Sequence, residues 1–322
     1  MFLMAKQLKN GKAFEYALLK ALDEKLLLHN VQVVILETPT YGVAMECYGE
    51  SSELERQGFD LAASSAINFI IDIEPRLAHA IDNNDILELE IIPDTKGEQG
   101  DVRDVLAIRK SQEWEIGISA KNNHRAVKHQ RLSMSIDFGE KWMGIPCSTE
   151  YFDEIAPIFG MLEKLKCQSP LMKWSDLKDK SDKVYEPILN AFIKELNRMN
   201  SQNPALVASG LVAYLIGRKD FYKVIKLKNR VQVQGFNING TLSQPFGKIQ
   251  PKGKVKHIKL PSRIVEIAFK PKSKTTILIT FDEGWQLSLR IHSAATLIEN
   301  SLKFDVNMVS NPHSIFSNVI FL

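Results

Sequence analysis

Apolar residues recur along this chain with two different spacings, and the switches between them mark its parts. AFEYALLKALDEKLLL (13–28) carries them at helical spacing, as does LAASSAINFIIDIEPRLAHAI (61–81), which Pro75 interrupts. Between the two, VQVVILET (31–38) reads as a short strand or a buried segment, and periodicity alone does not separate these. ILELEIIP (86–93) reads as a strand. DVRDVLAIR (101–109) and EWEIGISAK (113–121) follow, with a short polar gap that fits a hairpin between antiparallel strands. NNHRAVKHQRLSMS (122–135) reads as a helix capped by its Asn, and FGEKWMGIPCS (138–148) as a returning strand. Helical spacing resumes in YFDEIAPIFGMLEKL and YEPILNAFIKELNRM, with LVAYLIG beside them. The last hundred residues are strand-rich, and in QLSLRIH Gln286, Ser288, Arg290 and His292 alternate with Leu287, Leu289 and Ile291.

The pattern is that of an α/β protein in four consecutive segments. These are a helical N-terminal segment (1–84), a core of strands (85–150), a second helical segment (151–220) and a β-rich region (221–322). Its 322 residues can bury a large core, and no apolar run is long enough to suggest a membrane span. The N-terminal MFLMAKQLKNGK is basic, but its apolar part is too short for a secretory signal, so the expected location is the cytoplasm. Cys47, Cys147 and Cys167 share no ligand-like spacing, which argues against a disulfide framework and against a zinc site.

Charge adds what periodicity does not. Residues 201–322 hold 17 Lys and Arg against 6 Asp and Glu, whereas the first 200 hold 24 against 32. No acid lies between Phe221 and Val265, while ten Lys or Arg do. That asymmetry points to a polyanionic partner, the alternative being a solvated basic surface. Within it, KIQPKGKVKHIK (248–259) is loop-like, and Lys252, Lys254 and Lys256 suit backbone phosphates. Base reading needs side chains such as Arg, Asn and Gln projected into a groove. Gln286, Arg290 and His292 on one strand face are the first candidates, with Arg230, Gln232 and Gln234 next.

The candidate chemistry sits in GDVRDVLAIRKSQEWEIGISAKNNH (100–124), where neighbouring strands carry Asp104 and, at a strand end, Lys121. Hydrolysis of a phosphodiester calls for an activated water and for stabilisation of charge on the phosphate. A hard divalent cation held by carboxylates, with an adjacent lysine, supplies both. Paired strands can bring Asp104 and Lys121 together across roughly 5 Å. The bland alternatives are a salt bridge from Asp104 to Arg103 or Arg109 and a solvated strand-end lysine. Beyond them His124, Arg125, Lys128, His129 and Arg131 form a basic cluster able to meet phosphates, or else a solvated surface. No nucleophile-elbow motif supports a Ser-His or Cys-His hydrolase.

The layout resembles the PD-(D/E)xK nuclease core, with Asp104 as its aspartate and Ser119-Ala120-Lys121 as its lysine tripeptide. A serine at 119 departs from the acid usual there. The resemblance implies Ala120 as a carbonyl ligand and a second carboxylate from elsewhere. Asp101 is favoured. Glu115 stays among the candidates, although it lies about 13 Å before Ser119 along an extended strand. Glu88, Glu90, Asp137, Glu53 and Glu55 are the other possible donors, and His124 could order a water. WEIGISAKNNHRAVKHQRLS, DFGEKWMG, LIGRKDFYKVI, FDEGWQLSLRIHSA and SLKFDV together resemble the HaeIII-type type II restriction endonucleases over most of residues 100–310. The resemblance implies a restriction-endonuclease-like fold with a mixed sheet. It also implies magnesium-dependent cleavage of double-stranded DNA at GGCC and a companion DNA methyltransferase; a palindromic target read by identical subunits would in turn imply a homodimer. A structure-directed or repair nuclease of the same fold, and an inactive DNA-binding protein, are the competing readings.

Overall fold

The computed structural model describes residues 6–80, 85–93, 101–123, 128–293, 295–310 and 312–322. It is a mixed α/β structure whose chain divides into two units. The first comprises residues 1–125, 217–258 and 314–322, and the second 126–216 and 259–313. Residues 221–322, expected as one region, therefore contribute to both.

The first unit is built on a seven-stranded mixed sheet. Its order is β1 (Gln32–Ile35), β2 (Ile86–Ile91), β3 (Val105–Arg109), β4 (Trp114–Asn122), β6 (Phe221–Lys226), β7 (Arg230–Phe236) and β12 (Phe316–Phe321). β1–β2 and β4–β6 are parallel, and the remaining pairs are antiparallel. Helices α1 (Lys6–Leu28) and α3 (Glu53–Ile73) cover one face, burying Phe14, Leu18, Ile67 and Ile70 against Leu89, Val105, Ile116, Ile118 and Val224. α2 (Pro39–Gly49) packs on α1. Thr38 caps α2, and Ser52 with Glu55 forms a capping box on α3. Pro75 ends the long helical run, and only the short α4 (Pro75–Ala78) follows.

The second unit holds a five-stranded sheet of β5 (Lys128–Leu132), β11 (Leu302–Ser310), β10 (Gln286–Ser293), β9 (Thr276–Phe281) and β8 (Ile264–Phe269), antiparallel throughout. Helices α5 (Phe138–Met143), α6 (Thr149–Gln168), α7 (Glu186–Gln202) and α8 (Pro204–Ile216) complete it. Trp142, Phe192, Tyr214 and Phe304 form its aromatic centre.

Two expectations are corrected here. The segment read as a helix over 122–135 continues β4 to Asn122, and its described later part is strand β5. Asn123 is no helix cap: it sits in the left-handed region at φ 54° and donates its N–H to the Lys226 carbonyl. The inward position Gln130 hid the strand, because its amide oxygen is satisfied by the Tyr214 hydroxyl at 2.8 Å, and a polar inward residue breaks the apolar alternation. Conversely, the expected strand at 138–148 begins as helix α5. Asp137 caps it by accepting the Glu140 N–H, and Gly144 ends it at φ 71°. The expected hairpin forms, but its connection is a turn over Lys110–Gln112 closed by Glu113 at φ 47°.

Candidate active site

Asp104 immediately precedes β3, and its backbone N–H already pairs with the Ile118 carbonyl of β4. Side chains of a strand alternate between faces. Val105 and Ala107 point into the helix-covered core, as do Trp114, Ile116, Ile118 and Ala120. Asp104 therefore shares the opposite face with Glu115, Ser119 and Lys121. Its Oδ2 receives the Ala120 N–H at 2.6 Å, the Ser119 hydroxyl at 3.2 Å and the Lys121 ammonium at 3.4 Å. Its Oδ1 takes no hydrogen bond from any described residue. Ser119 is buried, while Asp104 and Lys121 are partly open. One oxygen is thus fixed by the protein, and the other meets no donor among the described residues.

The remaining acids sort themselves by partner. Asp101 and Glu115, both candidate ligands, are held by Arg103 at 2.7 and 3.0 Å and do not join the Asp104 cluster. Burial opposes charge on Asp101, but Arg103's hydrogen bonds and positive charge outweigh it and hold the carboxyl below its ordinary range. Glu115 behaves likewise between Arg103 and Lys219. Arg109 does not reach Asp104 either; it pairs with Asp85 and donates to the carbonyls of Arg76, Leu77 and His79. Glu88 pairs with Lys110 at 2.8 Å, Glu55 closes the α3 capping box, Gln57 donates to Glu53, and Asp137 caps α5. Glu90 is different. It pairs across from Leu106, so it lies diagonally from Asp104 on the same face, half-buried and with no ion pair or hydrogen bond from a described residue.

Among the described residues no group of three His, Cys, Asp or Glu converges as a metal site. A pair of carboxylates with a backbone carbonyl nevertheless fits a hard cation that keeps several waters. Sequence reading passed over Lys223, which is buried on β6 in register with Ser119 on this same face. The signal was present: a lysine in a strand whose other members up to Ile225 are apolar.

The proposed DNA contacts fall in several places. His124 and Arg125 lie outside the described residues, as does the side chain of Lys128, whose backbone belongs to β5. Arg131 on β5 reaches Ser301 and Glu299. Arg230 opens β7 and is exposed; Gln232 donates to Ser317, and Gln234 is buried. Lys252 pairs with Asp72, whereas Lys254 and Lys256 are exposed on either side of buried Val255. Gln286 donates to Thr280. Arg290 pairs with Asp305, and His292 stands near the same acid. No described helix is long and apolar enough to cross a membrane.

Comparison with known proteins places the chain in a family. The family model described as HaeIII restriction endonuclease matches residues 11–312. The type II restriction enzyme HaeIII of Haemophilus aegyptius is 41% identical over 308 residues, which cover 95% of each chain. No solved structure matches. Type II restriction endonucleases generally work with divalent metal ions. On both the family match and the long, well-covered identity, this chain belongs to the HaeIII restriction endonuclease family and is a type II site-specific deoxyribonuclease.

Proposed function

We propose that this enzyme cuts both strands of duplex DNA at GGCC using magnesium, with Asp104 and Lys121 at the centre of the reaction. The observation that carries the reading is the shared pocket: the two side chains stand 3.4 Å apart at the ends of paired strands, and one Asp104 oxygen is free of described donors. Asp104 through Oδ1, Glu90 and the Ala120 carbonyl would hold the ion. Bound there, it would lower the pKa of a water and offset charge on the phosphate. Lys121 places a positive charge beside the scissile group and donates to the attacking water or a phosphate oxygen. Ser119 and the Ala120 N–H keep the Asp104 carboxylate from turning away.

Recognition of a palindrome fits a twofold homodimer, and a cytoplasmic enzyme of this kind needs a partner methyltransferase to protect host sites. Lys252, Lys254 and Lys256 supply backbone affinity. Gln286, Arg290 and His292, with Arg230 and Gln232 next, are the proposed base readers; Gln234, also expected there, is buried on β7 and drops out. Arg125, Lys128 and Arg131 are proposed phosphate contacts, and His124 is proposed to order a water. Digestion of a sequenced plasmid with Mg2+ tests the reading: discrete fragments ending within GGCC are expected. A smear or branch-dependent cutting favours the repair-nuclease alternative, and binding without any cleavage favours an inactive binder. Lys121→Ala should bind the site and fail to cut it.

A further inference from the structure

The five-stranded sheet has two unlike faces. On one, Phe304 of β11 meets Trp142 of α5 and Phe192 of α7, with ring centroids 6.4 and 5.3 Å apart. The other carries Ser288, Arg290 and His292 of β10 beside Lys303, Asp305 and Asn307 of β11, in direct cross-strand register. These positions alternate with buried Leu289, Ile291, Phe304 and Val306. Arg290 is directly opposite Asp305, and its Nη2 donates to Oδ2 at 2.6 Å. The acid is largely sunk, its side chain 17% exposed, whereas that of Arg290 is 58% exposed. His292 Nε2 stands 3.1 Å from the other Asp305 oxygen without the alignment of a hydrogen bond.

We propose that Asp305 is a positioning residue for sequence readout, holding the Arg290 guanidinium so that its remaining N–H groups meet the O6 and N7 acceptors of a guanine in the major groove. The proposal rests on the reading of this chain as a GGCC-specific nuclease and assigns the recognition of one guanine. A guanidinium presents five donors in a planar fork, and one contact to Asp305 leaves a pair of parallel donors for the base. Fixing the fork beforehand removes rotamer freedom that would otherwise be lost on binding. Side chains two residues apart on a strand project about 7 Å apart. That separation is close to two base steps, so Ser288 or His292 would face a base pair near the one Arg290 reads. With Arg290 more than half in solvent, the cross-strand ion pair adds little to folding stability, so fold maintenance is a weak reason for this arrangement.

The test compares wild type, Asp305→Asn and Arg290→Lys on duplex oligonucleotides carrying GGCC or a site with one G·C pair replaced, alongside thermal melting. Wild type should prefer GGCC strongly. Asp305→Asn should melt at the wild-type temperature yet lose about tenfold or more of its preference at one guanine position, with discrimination elsewhere retained. Arg290→Lys keeps the charge but not the fork, and should lose discrimination at that same position. It decides the matter should Asp305→Asn melt early. Wild-type discrimination in both variants would overturn the proposal while leaving GGCC cleavage intact. A wild type with no preference among the sites would overturn the site-specific reading and this inference with it.

Discussion

Asp104 is the residue on which the proposed chemistry turns, because its two oxygens are treated differently. Oδ2 is saturated by Ser119, Ala120 and Lys121, and Oδ1 is left open by the described residues. Asp104→Asn can still accept the Ala120 N–H, so the fold should persist while metal affinity is lost. Single-turnover cleavage is expected to fall by about a thousandfold or more, with DNA binding measured in parallel and retained. Ser119→Ala removes one donor of the three and should slow cleavage far less, on the order of tenfold. Glu90 offers a sharper measurement. If it completes the ion site, Glu90→Gln should raise the Mg2+ concentration for half-maximal cleavage roughly tenfold and weaken Tb3+ luminescence titrations equally. An unchanged metal dependence would remove Glu90 from the site.

At the scale of elements, the β3–β4 hairpin is held by buried charge as well as by its ladder. Arg103 is buried and joins Asp101 to Glu115 across the face of β4, and a Cβ at Gly117 would collide with its side chain. Arg103→Met strands Asp101 and leaves Glu115 with Lys219 alone, and chemical denaturation should show a loss of about 3–5 kcal/mol. Both acids are held below their usual range, so the stability they contribute is present above the unfolded carboxylate pKa and disappears as pH falls. The acid limb of the stability curve should therefore flatten in Arg103→Met.

A third acid, fully buried, behaves oppositely. Glu74 accepts the Tyr222 hydroxyl at 2.7 Å and the Ser243 N–H, and burial pushes its pKa up to about 7. The folded state thus retains a proton that the unfolded chain gives up. Its contribution is full below the unfolded value near 4.5, and about 3 kcal/mol should be lost as pH rises through 7. Glu74→Gln should abolish that slope in melting temperature between pH 5 and 8.

At the scale of the whole molecule, the proposed backbone affinity of the basic region 201–322 centres on one loop. Val255 and Ile258 are buried, and between and before them Lys254, Lys256 and Lys252 project outward, with Lys252 shared with Asp72. The loop is further ordered by Asn237, which donates to the Val255 carbonyl and accepts the Leu242 N–H. Exposed ammonium groups on such a loop bind phosphate without reading sequence. Replacing all three lysines by Ala should weaken cognate and random DNA alike. It should also reduce the slope of log affinity against log salt by about 0.9 for each phosphate no longer neutralised. A weakening confined to GGCC would assign these lysines to readout instead.

Local patterning along the chain was enough for the long helices, for the strands from β2 to β4 and for the closeness of Asp104 to Lys121. Each of these depends on neighbours within one helix or one hairpin, where side-chain period and a short turn leave few alternatives. What periodicity cannot report is which distant group will satisfy a polar side chain. Gln130 faces inward because Tyr214 is there to meet it, and so β5 carried no apolar alternation to mark it. The parallel pairing of β4 with β6, which sets Lys223 beside Ser119, joins segments about a hundred residues apart. Arg103 took Asp101 and Glu115, leaving Glu90 as the acid beside Asp104 without a described partner, and Asp305 met Arg290 only once β10 and β11 were in register. Desolvation makes partner choice decisive, since a buried charge must find its counterpart wherever the folded backbone supplies one.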